Sequence, residues 1–189
     1  MTTFRTQFFI VLFSIFLALF AGVGARAGES QLEPVAPVIA QATEVVEHAS
    51  VVRLILQTNR KLTEHQAIVI SEAIHDAAAE FSLDPLLLVA LASVESKFNA
   101  KAVYGASLGM FQVIPRYHKE KVAEGRRRWR TNDLCNVRFN AWLGAKILSE
   151  YMASTHTMRA ALSRYNGTTS NGYSEKVLRL YRASKRSRL

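Results

Sequence analysis

From Leu86 to Val94 every residue except Ser93 is apolar, so a helix built on this stretch has no face to offer water and is predicted to form the centre of the fold. Asp84 before Pro85 supplies its start: a carboxylate that caps free backbone N–H groups, then a proline whose missing N–H costs nothing at the first helical position. Upstream, Thr63-Glu64-His65-Gln66 has the form of a capping box and opens a predicted helix reaching Phe81. Its apolar stripe is Ala67, Ile70, Ile74, Ala77, Ala78 and Phe81, which leaves Glu72, His75, Asp76 and Glu80 off the stripe and His75 at the surface. Val45, Val46, Ala49, Val52 and Leu56 also recur at helical spacing and predict a first, loosely attached helix. Downstream, Phe139, Leu143, Ile147 and Tyr151 mark a helix over 139–152. Shorter helices are expected over 157–164 and 173–183, the last with Tyr173, Val177, Leu180 and Tyr181 on one side. Between Pro115 and Val137 the chain is polar and basic without a readable period, and no alternating run is long enough for a useful strand. The fold class predicted is all-α.

The N-terminus has another pattern. Arg5 precedes an apolar run from Phe8 to Val23, followed by Ala25-Arg26-Ala27 with small residues where a signal peptidase reads. Residues 1–27 are therefore expected to be an export signal cleaved before Gly28, or an inner-membrane anchor if left uncut. Residues 28 to about 42, with Pro34 and Pro37 and no helical period, are expected to be a linker. The organisation expected is linker and accessory helix over 28–57, folded domain over 58–184 and a basic tail over 185–189. The chain carries a net +9; the signal removes two of the 24 basic residues and none of the 15 acidic ones, so the exported part keeps most of the charge. A basic exported chain meets anionic lipid or acidic polysaccharide, and export argues against nucleic acid as the partner. Cys135 stands alone and is expected to be a small buried thiol. The five histidines at 48, 65, 75, 118 and 156 form no i, i+3 or i+4 pair, so no metal and no cofactor is expected.

Glu95 shares a helix face with Leu88, Leu91 and Ala92 and sits at the end of the apolar run. Apolar surroundings and the negative end of the helix dipole both disfavour its ionised form. A carboxyl that keeps its proton near neutrality is what a departing sugar oxygen requires, because the leaving alkoxide must be protonated as the bond breaks. Holding a proton near pH 6 rather than at the ordinary value costs the ionised form roughly 2.5 kcal/mol. Pairing with a cation, or exposure at the helix end, is the alternative for this glutamate.

Three separated motifs follow in order. Glu95-Ser96-Lys97-Phe98-Asn99 with Gly105-Ala106-Ser107-Leu108-Gly109-Met110-Phe111-Gln112-Val113-Ile114-Pro115 resembles the signature ESxFNPxAxSxxGAxGLMQIMP of lytic transglycosylases of the soluble lytic type. Asn140 to Gly144 is similar to that family's NxxxG helix, and Arg164-Tyr165-Asn166-Gly167 to its AYN motif, with Tyr173 and Val177 after it. The resemblance covers about 80–181 and implies a lysozyme-like helical domain that cuts peptidoglycan glycan strands. It implies Glu95 as the catalytic acid and Gln112, Tyr165 and Asn166 as groove-lining residues, with Ser96 and Gly109 beside them. Each has another reading: Gln112 as a turn brace, Tyr165 as core, Asn166 as a helix cap, Ser96 as support of the helix end and Gly109 as a turn. The chain departs from the pattern in having Ala100 for the proline, one residue fewer between Glu95 and Gln112, and no clear counterpart of the family serine, so that Tyr104 or Ser107 would supply that hydroxyl.

The resemblance implies transfer to the substrate's own C6 hydroxyl, giving 1,6-anhydro-N-acetylmuramic acid. A hydrolytic lysozyme on the same fold would ordinarily need a second carboxylate, for which Glu120, Glu124 and Asp133 are the candidates. A non-catalytic wall-binding part of an envelope machine is the third reading, and the presence of Glu95 argues against it. Arg126 to Arg130 around Trp129 is a candidate border of the groove. The roles left open are trimming of the wall during growth and opening of a passage for a secretion, conjugation or phage apparatus, and the small single-domain size suits local, assembly-linked cutting.

Overall fold

A computed structural model describes residues 35–168 and 171–186, and side chains from Val46 onward. Among these residues seven α-helices account for most of the chain: α1 (Val35–Thr58), α2 (Glu64–Glu80), α3 (Pro85–Ser96), α4 (Lys119–Trp129), α5 (Val137–Ala153), α6 (Met158–Asn166) and α7 (Asn171–Arg186). The chain divides into two compact units, Met1–Ala49 and Ser50–Leu189. The export signal with its cleavage point and the last three residues of the tail lie outside the described residues.

α1 begins at Val35, inside the stretch whose prolines predict a linker. Pro37 falls in its first turn, where backbone N–H groups have no intrahelical partner, so the ring removes nothing the helix uses. The buried side chains of α1 are Val51 and Ile55, both fully enclosed, whereas Val46 from the predicted stripe is exposed. They begin the second unit and join its core.

The starts of α2 and α3 follow the local chemistry. Thr63 Oγ1 accepts from Gln66 N, and Gln66 Oε1 accepts in return from Thr63 N. Asp84 Oδ1 accepts from Leu86 N. Leu86 through Ala92 are buried without a break. Around α3 the core is closed by α7 and α2, while α5 packs on α2 and α6. His75 is half-buried rather than at the surface, its Nδ1 2.7 Å from the Ser71 carbonyl one turn earlier. Cys135 is likewise half-buried, not enclosed.

Two elements escape the hydrophobic pattern. α4 occupies the basic stretch after Pro115 with only Val122 and Gly125 buried, too few apolar positions to show a period. A two-stranded antiparallel hairpin pairs Val103 with Leu108 and Tyr104 with Ser107. Each strand has two residues, below the length at which alternation is visible. A single bridge from Leu108 to Val113 folds the next loop back on it.

Candidate active site

α3 delivers Glu95 by ending abruptly. Lys97 and Phe98 both take left-handed backbone angles, φ 53° and 62°, and this turn sends the Phe98 ring into the core, where it is fully buried. Glu95 and Ser96 are thus the last two residues of a helix whose stretch from Leu86 to Ala92 lies inside the protein, with Ser96 buried and Glu95 half-buried. Ser96 Oγ donates to the Met110 carbonyl at 2.8 Å and accepts from Asn99 N at 3.1 Å. The resemblance placed Ser96 beside the groove; its hydroxyl is committed to joining the helix end to the loop.

The carboxyl of Glu95 meets α7. Tyr173 donates its hydroxyl hydrogen bond to Glu95 Oε1. Burial pushes the Glu95 carboxyl up to about 7, while the Tyr173 hydrogen bond and the Lys176 charge pull the other way without offsetting it. Burial, then the charge of Glu95 and its hydrogen bond, hold the Tyr173 phenol far above its ordinary range. Burial and the same charge raise the Tyr165 phenol. Both tyrosines therefore remain neutral donors wherever Glu95 titrates.

Tyr165 spends its hydroxyl on the Phe111 carbonyl at 2.8 Å. It ties α6 to the loop that precedes Gln112. That loop is held from below by Asn140, which is wholly buried on α5. Its Oδ1 accepts from Phe111 N at 2.7 Å, and its Nδ2 donates to the carbonyls of Leu108 at 3.0 Å and Leu134 at 2.9 Å. Such a clamp needs close approach on both sides. A Cβ on Gly109, whose φ is 77°, would collide with the Asn140 amide, and one on Gly144 would stand 2.5 Å from Phe111 Cγ. The Asn and Gly of the NxxxG match are one device for seating this loop.

Gln112 stands in the left-handed region at φ 48°. Its Nε2 donates to the carbonyls of Gly109 at 2.7 Å and Ala102 at 3.3 Å, while its Oε1 is buried with no partner. It braces the turn and also keeps a dry acceptor, so both readings of the sequence describe it. Asn166 is exposed as the final residue of α6, ahead of the left-handed Gly167, and no described contact brings it to Glu95.

The structure thus gathers Glu95, Ser96, Gly109, Gln112 and Tyr165 around one helix end and leaves Asn166 exposed at the end of α6. Sequence reasoning assigned no role to Tyr173, Lys176 or Asn140. Tyr173 appeared as one residue of an apolar helix face and as a position after the AYN match, without a part in the site. Of the alternative carboxylates, Glu124 pairs with Lys146 at 2.9 Å, Asp133 accepts from Cys135 N at 2.8 Å, and Glu120 is exposed in the first turn of α4. Within the basic segment, Arg128 grips Glu80 with two bonds of 2.7 and 2.8 Å and lies over the Trp142 ring, so this arginine serves the α2–α5 surface.

An all-α domain with one buried carboxyl at the end of its central helix, seated against a clamped loop, is of the lysozyme-like kind. The family model of the transglycosylase SLT domain matches residues 72–184, well over half of the chain, and the chain belongs to that family. The family degrades peptidoglycan, which makes the glycan of the cell wall the substrate class. No curated protein matches the chain.

Proposed function

We propose that the chain is a lytic transglycosylase in which Glu95 alone serves as acid and base. The observation that carries this reading is a single carboxyl group raised to about 7, with the other candidate carboxylates engaged or exposed elsewhere. Glu95 gives its proton to the oxygen linking N-acetylmuramic acid to N-acetylglucosamine as the C1–O bond breaks. The acetamido oxygen of the same muramic residue bonds to C1 and holds the positive charge. The C6 hydroxyl oxygen then displaces it at C1, and its proton returns to the Glu95 carboxylate. Nothing is consumed but the glycosidic bond, and the new end is a 1,6-anhydro sugar. Because the substrate supplies the nucleophile, this scheme needs one enzymic carboxyl where ordinary hydrolysis uses two. Tyr173 keeps the Glu95 carboxyl oriented, and Tyr165 and Gln112 shape the loop on which the sugar would lie.

Mass spectrometry of fragments released from purified wall decides the reaction, since anhydro ends are one water lighter than the reducing ends of hydrolysis. Anhydro ends are expected from the wild type, with a loss on the order of 10,000-fold in Glu95→Gln, the upper range for general acid catalysis. Reducing ends alone would make the enzyme a lysozyme, and full activity in Glu95→Gln would remove Glu95 from the chemistry. The proposal places the working enzyme in the envelope, cut after Ala27, where it opens wall locally for an envelope-crossing apparatus. N-terminal sequencing of the exported form should begin at Gly28; a membrane-bound chain still starting at Met1 would replace cleavage by anchoring.

A further inference from the structure

Among the described residues from Ser50 onward, the large apolar side chains that stand mostly in water are Val103, Tyr104 and Tyr117, at 57%, 64% and 65% exposure. All three belong to the one loop that carries Phe111 and Gln112. Single exposed apolar residues scattered over a surface need no explanation, but their concentration beside one site does.

The loop presents them on a fixed base. The Ala102 carbonyl, immediately before the hairpin, is held by Gly109 N at 2.8 Å and by the Gln112 amide. Leu108 and Val113 exchange backbone bonds of 2.9 and 3.0 Å. Tyr104 therefore rises from backbone pinned to the turn of Gln112, which Tyr165 in turn ties to the neighbourhood of Glu95. Tyr117 is steadied by its neighbour: Arg116 donates to its hydroxyl at 2.7 Å and places its guanidinium 4.7 Å from the ring centre. A ring ordered in advance, as at Tyr117, or carried on ordered backbone, as at Tyr104, loses less freedom when a ligand settles on it.

We propose that Tyr104 and Tyr117 are stacking platforms for pyranose rings of the glycan strand, extending the binding groove beyond the sugars at Glu95. A pyranose shows C–H groups on its face and hydroxyls on its edge, and tyrosine matches this with an apolar ring and a polar tip. A strand of alternating N-acetyl sugars is the occupant that continuity with the Glu95 site selects. A lipid surface suits the hairpin less, because Gly105 and Ala106 at its turn give little apolar bulk to insert. The inference rests on the reading of the chain as a glycan-cleaving enzyme.

The test uses the whole chain and long glycan strands beside the shortest oligosaccharide that the wild type cleaves. Tyr104→Ala and Tyr117→Ala should each raise KM on long strands by about 3- to 10-fold with kcat kept, and change KM on the shortest substrate far less. Tyr104→Phe, which keeps the ring, should retain most of the affinity, and Tyr104→Leu, which keeps only apolar bulk, should not. Binding of Glu95→Gln to purified wall, with and without the two alanine changes, reads the platforms even if cleavage itself is never detected. Unchanged KM and wall binding in both alanine variants, wild-type affinity in Tyr104→Leu, or an equal loss on short and long substrates would each overturn the assignment. Melting curves that match the wild type confirm that the variants are folded; should Tyr104→Ala not fold, Tyr104→Leu and Tyr104→Phe carry the comparison.

Discussion

Replacing Glu95 by glutamine should stabilise the protein, and only above mildly acidic pH. In the unfolded chain the carboxyl titrates at its ordinary value of 4.5, and in the folded protein burial holds it near 7. Below 4.5 the group is protonated in both states and contributes no pH dependence. Between the two values the unfolded chain releases its proton while the folded one keeps it, so stability falls as pH rises. Above 7 the folded state carries the full penalty of a buried charge, on the order of 3 kcal/mol from the difference of the two values, and about 1 to 3 kcal/mol once partial contact with water is allowed. Glutamine has the same shape and still accepts the Tyr173 hydroxyl bond, but it has no charge to bury.

The assay is a pair of melting curves for wild type and Glu95→Gln at pH 4 and pH 8. At pH 8 the variant should melt roughly 3 to 10 °C higher, taking a few degrees per kcal/mol for a domain of this size. At pH 4 the two should nearly coincide. A variant that melts lower than wild type at pH 8, or by the same margin at both values, would refute the account of Glu95 as a carboxyl raised by burial.

Further outcomes follow from the neighbours of Glu95. Tyr173→Phe removes a donor that favours the ionised carboxylate, so the alkaline limb of the kcat/KM profile should move to higher pH, with a lower maximum because the carboxyl is less well held; an unmoved limb would separate Tyr173 from Glu95 titration. Lys176→Met removes a favourable charge and should move the same limb in the same direction by a smaller amount, most visibly at low salt; a move to lower pH would contradict the sign. Asn140→Ala leaves Phe111 N and the Leu134 carbonyl of the buried clamp without partners, the Leu108 carbonyl keeping its bond from Val113 N, and should cost about 2 kcal/mol or more, measured by urea unfolding; a loss under 1 kcal/mol would mean that the loop is held by other contacts.

What could be read from the sequence was local. Thr63 with Gln66, and Asp84 with Pro85, place helix starts through bonds spanning a few residues, and the apolar run of α3 announces its own burial. The position of Glu95 follows from the same run. Its partner does not, because Tyr173 lies 78 residues away and its ring had every appearance of core packing. The Asn140 clamp reaches back 29 and 32 residues to loop atoms that have no side-chain signature, since it binds backbone. α4 and the hairpin were illegible for the opposite reason, having too few buried positions to impose a period on the sequence. α1 ran against a sound rule about proline, which fails in the first helical turn because the lost N–H was not in use.

Burial is the largest of the influences on Glu95, and the two named partners act against it. The protonation of the acid is therefore set by the packing of the central helix more than by any single hydrogen bond. α7 enters both sides of this balance. Val177 and Leu178 are buried in the core and seat the helix along α3, while Tyr173 and Lys176 on the same helix favour the charged form. A substitution that loosens α7, such as Val177→Ala, admits water to Glu95 and withdraws its partners together. Water lowers the pKa and the lost partners raise it, but water acts on the larger cause, so the net shift should be downward, toward ordinary carboxylate behaviour. Such a variant should lose activity at neutral pH before it loses its fold, and recover part of that activity in mildly acidic buffer, where the exposed carboxyl is protonated again.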